Sequence, residues 1–469
     1  MSNTFDFQDT IVALSTPSGK GAIAVIRLSG KKAMAITQSV LKGKNLTEQA
    51  SHSVHFGRIL RVDGTVLDEV VVTLFKSPRS YTKEDVVEIS CHASPYIIQE
   101  LLNLLIDNGA RLATAGEFTQ RAFLNGQMDL SQAEAVADLI ASDSQRSHQI
   151  AMQQMRGGVS NKIQELRQEL IDFASLIELE LDFGEEDVEF ADRTALTDSV
   201  NKIQTYIASL IQSFQLGNAI KNGVNTVIAG RPNAGKSTLL NALLNEERAI
   251  VSDIAGTTRD TIEEVLNIEG IAFRLIDTAG IREAQDQIEA IGVEKTMQKI
   301  AESAILVYVF DVIETQPEEV AQDLNKLQNE NTKILLVANK MDLNPYTKWE
   351  HYEYQISNNE YRMSKEQFIP ISAANEMNIE FLKDKLYQTV IDEELDASQV
   401  VISNLRHVEA LQKAQESLAA VQIGLQTGIT SDFIAMDIRQ ALFHLGTVTG
   451  QVSVEDLLGN IFGRFCIGK

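Results

Sequence analysis

The segment GRPNAGKS at 230–237 has a glycine, four residues, then Gly-Lys-Ser. It follows the apolar run VNTVIAG and precedes TLLNALLN, which places it at a strand-to-helix turn. There, glycines let backbone N–H groups turn inward around phosphate oxygens, and the helix N-terminus adds partial positive charge. Asn233, Ala234 and Gly235 supply the loop. Lys236 is expected to reach the β- and γ-phosphates, Ser237 to ligate Mg2+, and Thr238 to follow in the first helical turn.

Three further segments fall in the order a nucleotide switch requires. AGTTRD at 255–260 offers Thr258 as a second Mg2+ ligand. DTAG offers Asp277 for the metal shell and the Gly280 N–H for the γ-phosphate, with Thr278 and Ala279 between them. NKMD brings Asn339, Lys340 and Asp342 to the end of a strand. The Asp342 carboxylate can accept from guanine N1–H and the 2-amino group. Adenine lacks both donors, so ATP would leave a carboxylate unpaired. In ISAANEMN at 371–378, the Ser372–Ala373 backbone suits the guanine oxygen. GTP is the expected nucleotide.

One position breaks the pattern. Small GTPases place a water-orienting glutamine after DTAG; here it is Ile281, which cannot hold a water. The polar residues beyond it are Arg282, Glu283, Gln285, Asp286, Gln287 and Glu289. Residue type alone leaves the choice among them open.

The elements that must carry these residues change texture along the chain. Residues 9–30 read as strand, Gly-rich turn and strand, and EVVVTLF at 69–75 and DVVEIS at 85–90 as further strands. Residues 97–110 read as an apolar-periodic helix closed by Gly109. From about 128, long amphipathic helices follow, with an acidic break at 184–193. Between 224 and about 385 the pattern is α/β. AILVYVFD and KILLVANK are continuous apolar runs of the kind buried parallel strands show. After about 400 the chain is helical again, which suggests a helical domain interrupted by an inserted one.

At 469 residues more than one domain is expected. No apolar run approaches bilayer length, and MSNTFDFQDT lacks the basic-then-apolar plan of a secretion signal. Cys91 and Cys466 are the only cysteines and support neither a zinc site nor a structural disulfide. A cytoplasmic protein is expected. The formal net charge of −24 opposes sequence-independent binding to phosphate backbones. A nucleic-acid partner would have to meet a local basic patch or a second subunit.

GRPNAGKS, DIAGTTRD and DTAGIREAQDQIEAIGVEK together resemble the GTPase domain of the tRNA-modification GTPase family called MnmE, also TrmE. DTIVALSTPSGKGAIAVIRLSG, SYTKEDVVEISCH, GEFTQRAFLNGQMDLSQAEAVADLI and FCIGK extend the resemblance from end to end. It implies an α+β folate-binding and dimerisation domain at 1–120. It further implies a helical domain at 121–220 and 383–469, and a Ras-like P-loop GTPase domain inserted at 221–382. It implies a homodimer and an FAD-dependent partner protein. Together they add a carboxymethylaminomethyl group at C5 of uridine 34 in tRNA, using 5-formyltetrahydrofolate or a related tetrahydrofolate. No membrane is involved.

The resemblance also bears on Ile281. It implies a bound K+ in the role of an inserted arginine, with Asn233 as side-chain ligand. Ser252, Ile254 and Thr257 would contribute from the loop that also holds Asp253, Ala255 and Gly256. It assigns the water to Glu289, acting through a second water. Arg27 and Glu88 become the folate contacts, Glu88 suiting the donor edge of a pterin, with Lys469 and Cys466 brought near them. Family members often have lysine where this chain has Gln127, so a cationic contact is lost there. Cys466 could be a nucleophile or a small packed thiol. The segment LLGNIFGRFCIGK reads as a docked tail. The alternative function is a regulatory or ribosome-assembly switch, which needs no folate pocket.

Overall fold

The computed structural model describes residues 9–19, 21–182, 193–244, 263–277, 303–327, 332–357, 363–390, 400–427, 429–452, 458, 461–463, 465, 466 and 468, with 180–182, 263 and 277 by backbone alone. The chain forms two compact units. Unit 1 is Met1–Ile140, Met152–Gln204 and Glu409–Lys469; unit 2 is Ala141–Ala151 and Thr205–Val408. Among the described residues no helix is long and apolar enough to cross a membrane.

Unit 1 holds a seven-stranded sheet of β1 (Thr10–Leu14), β2 (Ile23–Ser29), β3 (Leu41–Lys42), β4 (Ser53–Leu60), β5 (Val66–Phe75), β6 (Val86–His92) and β7 (Ala110–Leu112). The strand order is β3-β4-β5-β6-β2-β1-β7. Only the β1–β7 pair is parallel. Period-2 alternation sends Ile26, Leu28, Val70, Val72, Leu74, Val87 and Ile89 to one face. There they form a core with α1 (Ala33–Val40) and α2 (Pro95–Asp107). Arg27, Thr73 and Glu88 fall on the opposite face. A single-residue slip of register would exchange the two sets.

The expected helix over 97–110 ends earlier, at Asp107. Gly109, at φ 102, closes the helix as expected, and Ala110 of β7 pairs with Thr10 of β1. The backbone amides there gain more from a ladder with β1 than from another helical turn. The helices of unit 1 include α3 (Glu117–Leu124), α4 (Leu130–Ala141) and α6 (Gly158–Asp182). α5 (Gln145–Met155) and α7 (Arg193–Asn222) have residues in both units.

Unit 2 has a six-stranded sheet of β8 (Val224–Ala229), β9 (Glu263–Ile268), β10 (Ile271–Asp277), β11 (Ile305–Asp311), β12 (Lys333–Asn339) and β13 (Phe368–Pro370). The order is β13-β12-β11-β8-β10-β9, parallel except for the β9–β10 hairpin. This is the Ras-like arrangement. All seven residues of β11 are buried, because helices cover both faces of a parallel sheet. Around it run α8 (Lys236–Leu244), α9 (Pro317–Leu327), α10 (Glu350–Ser357) and α11 (Ile379–Val390). The chain closes with α12 (Leu405–Thr427) and α13 (Ser431–Thr449), and α13 packs along α6.

Candidate functional site

β8 ends at Ala229, and the phosphate loop turns through Gly230–Gly235 into α8. Asn233 sits at φ 63 and is exposed, as are Ser237 and Thr238 in the first turn of α8. Lys236 is 9% exposed, and its Nζ donates to the carbonyls of Gly230 and Arg231, both at 2.9 Å. The loop therefore shapes the position of the ammonium through its own backbone.

Asn339, buried at the end of β12, splices two loops. Its Nδ2 donates to the Ala234 carbonyl at 2.8 Å, and its Oδ1 accepts from the Ala373 amide at 3.0 Å. Ser372 Oγ donates to Asp342 Oδ1 at 2.6 Å. Lys340 Nζ lies 2.6 Å from Asp311 Oδ2. Burial raises the Asp311 pKa, but Lys340 and the Ile313 amide outweigh it and hold the carboxyl below its ordinary range. The structure thus gathers Ala234, Gly235, Lys236, Asn339, Lys340, Asp342, Ser372 and Ala373. Asp277 ends β10 beside Ile228, and its side chain is not described. Ser252–Thr258, Thr278, Ala279, Gly280, Glu289 and Lys469 lie outside the described residues.

One part of this site escapes sequence reasoning. Arg231, inside the phosphate loop, donates through Nε to Asp323 Oδ2 at 2.7 Å and through a second nitrogen to Glu319. Buried Tyr308 on β11 donates to the same Asp323 oxygen at 2.7 Å. Burial and the neighbouring Asp323 carboxylate both push the Tyr308 phenol well up. The i,i+4 acidic pair in PEEVAQDL is visible along α9, but its partner lies about ninety residues earlier in the chain.

In unit 1, Arg27 on β2 and Glu88 on β6 are cross-strand partners. Arg27 Nε and NH2 both lie against Glu88 Oε1, at 2.9 and 2.8 Å. The guanidinium also faces the rings of Tyr81 and Phe118, 5.6 and 5.7 Å away. Burial raises the Tyr81 phenol, whose oxygen bonds Thr119 Oγ1 at 2.8 Å. The segment around 461–468 packs on this region. Phe462 joins the core with Leu130 and Ala133, the Gly116 amide lies 3.4 Å from the Cys466 carbonyl, and Ser15 Oγ donates to the Gly468 carbonyl at 3.1 Å. Arg27 NH1 is 3.5 Å from that carbonyl. Cys466 is exposed. Gln127 is exposed in the turn after α3. Tyr81, Phe118 and Ser15 escape sequence reasoning, because an aromatic or hydroxyl residue in a loop or short helix carries no local signal of what it faces.

Comparison with known proteins agrees with this arrangement. A family model described as "GTP-binding protein TrmE N-terminus" matches residues 10–127, and one described as "MnmE helical domain" matches residues 130–466. A protein of Cytophaga hutchinsonii named "tRNA modification GTPase MnmE" is 55% identical over 98% of this chain and 98% of its own length. Proteins of the same name from Flavobacterium johnsoniae and Bacteroides fragilis are 52% and 48% identical, each over 98% of this chain and 99% and 100% of theirs. With both domain models matched and relatives of this identity spanning the chain, it belongs to the MnmE (TrmE) family of tRNA modification GTPases.

Proposed function

We propose that this chain hydrolyses GTP as one component of a tRNA wobble-uridine modification system. With an FAD-dependent partner protein it adds a carboxymethylaminomethyl group at C5 of uridine 34, the one-carbon unit coming from 5-formyltetrahydrofolate or a related tetrahydrofolate. The observation that carries this reading is two built sites in one chain: the loops spliced by Asn339 in unit 2, and the Arg27–Glu88 pair flanked by the 465–468 segment in unit 1. A regulatory switch would need only the first.

In unit 2, Lys236 and the loop amides hold the phosphates, and Asp342 with Ala373 selects guanine. Asn233 and Ser237 are exposed on the loop and first helical turn, open to ions. Ser237 and Thr258 are the proposed Mg2+ ligands, and Asn233, Ser252, Ile254 and Thr257 the K+ ligands. A monovalent cation there supplies positive charge against the phosphates. Glu289 orients water through a second water. In unit 1 the residues fit a reduced folate. Both Arg27 bonds fall on Glu88 Oε1, so Oε2 can accept from a pterin donor edge, and Tyr81 and Phe118 wall the half-buried pair. Cys466 is held on the same segment as Gly468, so its thiol is a proposed nucleophile.

The proposed division is the folate-binding and dimerising domain at 1–120, the helical domain at 121–220 and 383–469, and the GTPase domain at 221–382. The proposed working form is a cytoplasmic homodimer that meets tRNA together with its partner protein; the chain's −24 charge means that tRNA would have to meet a local basic patch or a second subunit. Turnover of GTP by the purified chain in KCl, with near-loss in NaCl, is the expected result; equal rates overturn the K+ role. Uridine 34 that still carries the full modification in cells lacking the gene would overturn the modification role and leave the switch.

A further inference from the structure

Lys83 stands at φ 58, in the left-handed region that favours glycine and strains a lysine. The strained backbone is pinned rather than frayed: Ser77 Oγ donates to the Lys83 carbonyl at 2.8 Å. Its side chain crosses to a second loop, where Nζ donates to the Gly126 carbonyl at 2.6 Å. Beside it, Asn125 Nδ2 donates to the Thr82 carbonyl at 2.7 Å. These two bonds zip the 80–84 loop to the turn that carries Gln127. The same 80–84 loop reaches the folate-contact pair. Tyr81 faces the Arg27 guanidinium, and Thr82 Oγ1 is 2.6 Å from Ser29 Oγ, two residues beyond Arg27 on β2. Among the described residues no carboxylate pairs with Lys83: Glu84 is engaged with Arg121 and Ser29, and Asp85 accepts from the Ser77 amide.

We propose that Lys83 supplies the cation that position 127 lacks, and that its ammonium binds a carboxylate of the glutamyl end of a reduced folate. The proposal rests on the folate reading of the Arg27–Glu88 site. A strained lysine keeps its place when the side chain is used, and glycine would hold the same turn without strain. The ammonium has three N–H donors and the Gly126 carbonyl takes one, and the carboxylates of the glutamyl end are the anionic groups of a folate at neutral pH. Glu88, an acceptor, suits the uncharged pterin end. Gln127 can add a neutral contact beside the ammonium but cannot replace its charge.

The test is titration calorimetry of the full-length chain with 5-formyltetrahydrofolate and with a reduced pterin that lacks the glutamyl end. Lys83→Gly is expected to fold, to melt at a higher temperature, and to lose at least tenfold in folate affinity while its pterin affinity is unchanged. Adding Gln127→Lys to that variant is expected to restore folate binding to within about threefold. Wild-type folate affinity in Lys83→Gly overturns the proposal, and so does an equal loss for folate and pterin. Failure of the unaltered chain to bind folate overturns the reading of the Arg27–Glu88 site itself, and this proposal with it.

Discussion

A Cβ atom at Gly235 would lie 2.2 Å from Nδ2 of Asn339. The last glycine of the phosphate loop, at φ 92, is thus in contact with the side chain that also holds the guanine-side loop through the Ala373 amide. Gly235→Ala must displace Asn339 or the loop, and it also places a side chain at a left-handed φ. The expected outcome is loss of at least 100-fold in GTP and GDP affinity, with the circular dichroism of the folded protein retained. Fluorescent-nucleotide titration checks it; unaltered affinity would show that the splice does not shape the site.

Asp342 keeps its Oδ1 oriented by the Ser372 hydroxyl. Asp342→Asn can keep an acceptor opposite guanine N1–H but places a donor opposite the 2-amino group. Hydrogen bonds to a charged partner contribute about 1.5–3 kcal/mol each, so losing one costs roughly tenfold to 150-fold in affinity. Xanthine nucleotides carry a carbonyl where guanine carries its 2-amino group and should bind the variant better than GTP does. A competition titration of GTP against XTP reads this directly, and continued preference for GTP would refute the carboxylate's role.

Arg121 and Glu117, both on α3 and essentially fully buried, sit in one ionic cluster with Asp9, Glu84 and Arg111. Arg121→Leu strips Glu84 of its arginine and leaves Asp9 and Glu117 with Arg111 alone, and should cost about 3–5 kcal/mol. For Asp9 and Glu117, burial raises the pKa but the arginines outweigh it, so both titrate below their ordinary range. A carboxyl with a lowered folded-state pKa contributes stability that is complete above its unfolded pKa and disappears as pH falls through the folded one. Unit 1 should therefore lose stability below about pH 4, and Arg121→Leu should flatten that acid limb. Denaturant midpoints across pH 3–7 test both; an unchanged acid limb in the variant would detach the pH dependence from this cluster.

Gly468 is at φ 98, and a Cβ there would lie 2.2 Å from the Leu14 carbonyl. Gly468→Val should lift the segment off β1 and break its bond from Ser15. Hydrogen exchange in the peptide covering 458–469 is expected to quicken at least tenfold while β8–β13 keep their protection. Equal exchange in variant and wild type would mean that the segment is held by Phe462 alone.

The nucleotide site was largely legible in the chain because its parts are consecutive residues. A glycine-rich turn between a strand and a helix takes its shape from its own dihedrals, so GRPNAGKS and NKMD name their backbone donors and acceptors before any folding. The long buried strands β11 and β12 were legible for a similar reason: unbroken apolar runs, six residues in β11 and five in β12, have few other places to go. The shorter strands were less so. In SVHFGRIL of β4, Gly57 and outward Phe56 blur the alternation, and β7 is three residues whose only reason to be extended is β1 beside them.

The sequence by itself determined the nucleotide class, the family and the switch from helical to α/β texture, since each depends on residue type and spacing within a few turns of chain. Tertiary structure decided which charges meet: Arg231 with Glu319 and Asp323, Arg27 with Glu88, Lys83 with the Gly126 carbonyl. Those pairs are separated by tens of residues and bound by the pleat, register and strand order of two sheets. Hydrogen bonds act only over about 3 Å and screened charge pairs over about 10 Å, so only the folded path of the backbone selects which of many possible partners comes within reach.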